Sequence, residues 1–239
     1  MQIIHDFLTI NEYSRPARKI RELLGIVIHW TANPAANAKQ NRDFFESKKT
    51  GMGGYGSAHY IIDQNGIIIA AVPEDEVAYH CGSSDKDPAS GKVYTDEARR
   101  RFGRYASESS SPNLCTIGVE LCPKDAAGNF TNATINAAVE LCADICRRYE
   151  LPAQAITTHH DVVGWKDCPK LWTEKPQLLT AFKFSVKRLT IWKKVQRTKT
   201  KKKELKQKAL AFGDRLRPPY GLEAGTPHSL RATFSKAST

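Results

Sequence analysis

Gly25-Ile26-Val27-Ile28-His29-Trp30 is a short, unbroken, β-branched run that closes on a polar ring. A strand apolar along its whole length suits the middle of an α/β sheet, where both faces are covered. It empties into the loop Trp30-Thr31-Ala32-Asn33-Pro34. Working outward, Ala58–Asp63 and Ile67–Ala71 read as two strands joined by Gln64-Asn65-Gly66, and Asn-Gly is a strong hairpin signal. Thr116–Leu121 and Ala155–Thr158 read as two more. Between them Ile135, Ala138, Val139, Cys142, Ile145, Cys146 and Tyr149 recur at the helical period. Thr131 is the expected N-cap of a helix over 132–149, and Leu151-Pro152 ends it. Residues 37–48 also read as a helix, with Phe44 and Phe45 turned inward. Residues 1–24 yield no element. Residues 81–113, polar and rich in Gly, Ser, Pro and Arg, read as a long surface loop with a short helix near 95–104. Strands interleaved with helices make an α/β fold.

The 239 residues suffice for one domain and an appendage. The formal charge of +11 is unevenly placed. Residues 1–180 hold 20 Lys/Arg against 22 Asp/Glu, whereas 181–239 hold 16 against 3. The expected division is therefore a folded body over 1–180 and a basic, flexible extension over 181–239. No run of about 18 apolar residues exists, so no membrane span is expected. The opening Met1-Gln2-Ile3-Ile4-His5-Asp6 has neither the basic start nor the apolar core of a secretory leader. Cys142 and Cys146 share one helix face and read as buried reduced thiols. Gly51-Met52-Gly53-Gly54-Tyr55-Gly56 is glycine-rich but lacks the Gly-Lys-Ser/Thr ending and following helix of a phosphate loop.

Three side chains suit a borderline-soft metal. His29 ends one strand, His159 or His160 ends another, and Cys168 follows in Lys166-Asp167-Cys168-Pro169. Two imidazoles and a thiolate fit zinc and leave a fourth position open, the mark of a catalytic site. Taken singly, a strand-end histidine is more often structural and a lone cysteine more often core.

Four stretches occur in order: Ile26-Val27-Ile28-His29-Trp30-Thr31, Ser57-Ala58-His59-Tyr60-Ile61-Ile62-Asp63, Thr116-Ile117-Gly118-Val119-Glu120, and Thr158-His159-His160-Asp161-Val162 through Cys168-Pro169. Over roughly residues 20–180 the chain resembles the zinc-dependent N-acetylmuramoyl-L-alanine amidases of the phage-lysozyme and peptidoglycan-recognition-protein type, in their endolysin and autolysin branch. The resemblance implies a central mixed sheet flanked by helices, one zinc ion, and cleavage of peptidoglycan between muramic acid and L-alanine. It implies His29, His159 and Cys168 as metal ligands. The His-x-Asp-Val pattern selects His159, although the spacing to Cys168 leaves His160 open. It implies Glu120 as the proton-transferring carboxylate, Lys166 as the oxyanion stabiliser, and His80 as a substrate contact. Trp30, Asn33 and Trp165 are expected to line the glycan-peptide groove, and His59 to be structural or to orient a ligand.

One departure stands out. Ala58 occupies the place where some relatives carry a catalytic tyrosine, which puts more weight on Glu120. A monomer acting on peptidoglycan is expected, made in the cytoplasm and released to the wall. Its basic tail suits an anionic wall polymer such as teichoic acid better than nucleic acid. The competing readings are a peptidoglycan-binding module that does not cut and a cytoplasmic amidase that recycles muropeptides.

Overall fold

A computed structural model describes residues 1–215. Its strands are β1 (Ile3–His5), β2 (Gly25–Trp30), β3 (Tyr60–Ile62), β4 (Ile68–Ala70), β5 (Thr116–Leu121) and β6 (Ile156–Thr158). Its α-helices are α1 (Ala38–Ser47), α2 (Asp96–Phe102), α3 (Asn132–Arg148), α4 (His159–Val163), α5 (Lys170–Glu174) and α6 (Gln177–Arg215). The strands form one sheet in the order β1-β4-β3-β5-β2-β6. Only the β3–β4 hairpin is antiparallel, and the other pairs are parallel, so the sheet is mixed as expected.

Side chains alternate across a strand, and that alternation sorts the sequence into two faces. Ile26 and Ile28 of β2, with Ile117, Val119 and Leu121 of β5, enter the main core, where Leu141, Cys142, Ile145 and Cys146 of α3 cover them. Val27, His29, Thr116, Gly118 and Glu120 fall on the opposite face. The expected cap of α3 is present, with Thr131 Oγ1 accepting from Thr134 N at 3.0 Å. All six cysteines are buried and free.

Four expectations need correcting. β1 was not anticipated: three residues at the sheet edge, two of them exposed, show no periodicity to read. Phe44 does not turn inward. It is 58% exposed, with the Lys48 ammonium 5.0 Å from its ring, and Phe45 alone packs beneath α1. The 81–113 segment is more than a surface loop, because Val93, Tyr94, Phe102 and Tyr105 are buried against Val27, Val162 and Val163 as a second core on the site face. Irregularly spaced apolar residues escape a periodicity test, and a fold-back this long is held by single polar anchors such as Asn113. The expected boundary at 180/181 falls inside α6. Phe182 and Val186 are buried in the main core, and the first compact unit runs from Met1 to Lys194. The second unit starts at Val195. Its described part is helical and carries exposed Arg197, Lys199, Lys201, Lys202 and Lys203. The Gly-, Pro-, Ser- and Thr-rich stretch over 216–239 lies outside the described residues. No helix among the described residues is long and apolar enough to cross a membrane.

Candidate metal centre and active-site groove

His29 and Glu120 are register partners on adjacent parallel strands, so both project from the same face near the strands' C-terminal ends. His159 opens α4 directly after β6. A reciprocal cap pins it there: Thr158 Oγ1 accepts from Asp161 N at 3.1 Å, and Asp161 Oδ2 accepts from Thr158 N at 3.2 Å. This is the physical reason an aspartate follows the histidine by two. The next loop is fastened through His160, whose main-chain N–H donates to Cys168 O at 2.9 Å and whose ring Nδ1 lies 3.1 Å from Lys166 O. His160 therefore faces away and His159 faces in, which settles which of the two imidazoles joins the cluster.

The donor atoms of His29, His159 and Cys168 all lie within 4.8 Å of one another, and all three residues are buried. His29 Nδ1 stands 3.1 Å from His159 Nδ1 and 3.7 Å from Cys168 Sγ. Around a tetrahedral zinc, two nitrogens should be about 3.3 Å apart, and a nitrogen and a thiolate sulfur about 3.6 Å. The donor set fits that ion in chemistry, and both spacings from His29 fit it too. Burial starves the cluster of charge: His29 is held well below its usual pKa, first by desolvation and then by His159. Desolvation takes His159 down to about 3 and lifts the Cys168 thiol to about 12. A cation at their centre is what would keep the sulfur as thiolate.

Beside the cluster, Glu120 Oε2 and His159 Nε2 are buried with no hydrogen-bond partner. Desolvation raises Glu120 to about 7, against the pull of Lys166. Glu120, His159 and Lys166 open together into a groove of about 940 Å³, whose other walls include Tyr55, Tyr79 and Ser111. Lys166 is exposed, with its ammonium 6.0 Å from the Trp165 ring. His80 also lines the groove, and its Nδ1 lies 3.1 Å from His29 Nε2.

Trp30 and Asn33 are not among the residues that line this groove. Alternation along β2 explains Trp30: because His29 faces the site, the indole points the other way, toward Gly128. The Trp30 main chain, by contrast, favours the Cys168 thiolate. Asn33 is exposed and accepts from Ala35 N at 3.2 Å in a turn. Trp165 is exposed and bonds Ser83 at the groove edge. His59 is fully buried. Its Nδ1 accepts from Gly118 N at 3.0 Å and its Nε2 lies 2.8 Å from Glu76 O, so it ties β5 to the segment that follows β4. Sequence reasoning missed the tyrosine and serine walls, because nothing in their spacing marks residues that converge from loops far apart in the chain.

A mixed sheet with two imidazoles, a thiol and an orphaned carboxylate at one edge defines an α/β domain built around a candidate metal centre. The chain belongs to the N-acetylmuramoyl-L-alanine amidase family, whose sequence profile matches residues 19–171. It is 34% identical to a probable N-acetylmuramoyl-L-alanine amidase of Bacillus licheniformis over 77% of this chain and 46% of that protein. It is also 34% identical to the amidase CwlL of the same organism, over 83% of this chain and 50% of that one. The chain thus spans about half the length of these curated relatives. Among solved structures, PlyL shares the fold at 19% identity and a TM-score of 0.57, over 78% of this chain and 98% of PlyL. The PlyG catalytic domain does so at 19% and 0.58, over 80% of this chain and 96% of that domain.

Proposed function

We propose that this domain hydrolyses the amide bond between the lactyl carbonyl of N-acetylmuramic acid and the first L-alanine of the peptidoglycan stem, with one zinc ion held by His29, His159 and Cys168. The reading rests on the convergence of those three donors within 4.8 Å beside a half-buried carboxylate with one buried, unpartnered oxygen, in a chain of this family. Zinc bound there would supply Lewis acidity toward the scissile carbonyl and acidify water. Glu120 takes the proton of the attacking water and passes it to the departing alanine nitrogen. Its pKa near 7 suits both transfers. The Lys166 ammonium faces the carbonyl oxygen as negative charge develops on it. The C–N bond breaks, leaving a lactyl carboxylate and a new alanine amino group.

The site of action in this reading is the cell wall. The exposed cations Arg197, Lys199, Lys201, Lys202, Lys203 and Lys208 suit docking to an anionic wall polymer, an attraction that salt should weaken. The deciding experiment measures zinc content and the release of new L-alanine amino termini from purified walls, for wild type, Cys168→Ser and Glu120→Ala. Cys168→Ser should lose zinc, and Glu120→Ala should keep zinc and lose turnover. Wild type that holds zinc yet frees no alanine amino groups would refute the hydrolase and leave a recognition module.

A further inference from the structure

His80 sits in the segment between β4 and α2, nearly buried, its ring seated on β5 at Gly118. A Cβ at position 118 would stand 2.5 Å from His80 Cγ, so only glycine admits the ring. The ring nitrogens meet different partners, and those partners decide where its proton sits. His80 Nε2 lies 3.4 Å from Thr116 O and 3.3 Å from Thr116 Oγ1. The hydroxyl has one proton, and Pro112 O accepts it at 2.6 Å. Toward His80 the hydroxyl can therefore offer only lone pairs. The Cys81 thiol, 3.7 Å from that oxygen, can add a donor to Thr116 but none to His80. Both neighbours of His80 Nε2 are acceptors, so Nε2 carries the ring proton.

A neutral imidazole has a single N–H, and His80 is buried with no carboxylate among its hydrogen-bond partners. Its Nδ1 is then an acceptor, and the atom facing it at 3.1 Å is His29 Nε2, which must be the donor. The one proton of His29 is thereby placed on Nε2. Its Nδ1 is left as a bare lone pair, facing His159 Nδ1 and Cys168 Sγ.

We propose that His80 is a positioning residue: seated on Gly118 and anchored through Thr116, it fixes the tautomer and ring orientation of His29 so that Nδ1 is the metal-ligating atom. Its consequence for metal affinity rests on the zinc reading above, whereas the proton placement does not. Outer partners of this kind change metal affinity by about 10–100-fold when removed.

The test has two arms. In zinc-free wild type, nitrogen NMR of the His29 ring should show protonated Nε2 and bare Nδ1; protonated Nδ1 overturns the proposal. In chelator competition, His80→Ala should bind zinc about 10–100-fold more weakly than wild type. His80→Asn, whose amide oxygen can take the place of Nδ1 as acceptor, should recover most of that loss. Gly118→Ala, which evicts the ring without removing a polar atom, should also weaken binding. Combined with His80→Ala it should add little, because there is no ring left to displace. Wild-type affinity in His80→Ala overturns the proposal, as does full additivity of the two changes. Absence of zinc binding by wild type would instead sink the zinc reading, and the ring-proton assignment would still be decided by the spectrum.

Discussion

Glu120 is held in the folded chain at a pKa of about 7, against 4.5 for a free side chain, chiefly by desolvation. A carboxyl with a raised folded pKa binds more protons folded than unfolded between those values, so stability falls as pH climbs from 4.5 to 7. At 1.36 kcal/mol per unit, the fully ionised carboxylate costs the metal-free protein about 3 kcal/mol above pH 7, and almost nothing below pH 4. Glu120→Gln keeps the shape and removes the charge. Relative to wild type it should therefore gain about 3 kcal/mol on moving from pH 4 to pH 8, or about 6–12 °C in Tm for a compact unit of this size. A buried amide carries its own desolvation cost, but that cost does not vary with pH and drops out of the comparison. The assay is thermal unfolding of metal-free wild type and variant across that range. A Tm difference that is the same at pH 4 and pH 8 would refute the assignment of a desolvated carboxyl at Glu120, and with it the basis for Glu120 as a proton carrier tuned to neutrality. Zinc should shrink the difference, because a cation beside the carboxylate stabilises its charged form.

Lys166→Ala should lower kcat on muropeptides by about 100-fold or more with a small change in KM, since the charge acts on the oxyanion and not on the bound substrate; an effect on KM alone would make Lys166 a binding residue. Truncation after Lys194 should leave thermal stability and muropeptide turnover intact. Truncation after Thr180 should unfold the domain, because it deletes Phe182 and Val186 from the main core, each contributing about 2 kcal/mol by burial; equal melting of the two truncations would restore the boundary read from charge. Thr131→Ala should cost about 1 kcal/mol through the lost cap of α3 and leave zinc content unchanged.

The primary structure by itself determined the elements whose physics is local. The apolar runs of β2 and β5, the Asn-Gly turn between β3 and β4, and the Thr131 cap of α3 all lie in single short windows, where period and cap chemistry can be read directly. The candidate ligand residues were legible for a related reason: imidazole and thiol are scarce, and their positions in the chain stand out. The boundary near 180 misled because charge composition reports solvent exposure averaged over a stretch, whereas Phe182 and Val186 are two apolar residues inside a basic one. Only the folded chain decided between His159 and His160, because that choice depends on which way the first turn of α4 faces once Thr158 and Asp161 cap each other. Only the register of β2 against β5 set Glu120 beside His29. The proton on the His29 ring is decided by four residues from three separate segments, His80, Pro112, Thr116 and Gly118. No sequence window holds them together, and a hydrogen bond across such distances exists only after the sheet has formed.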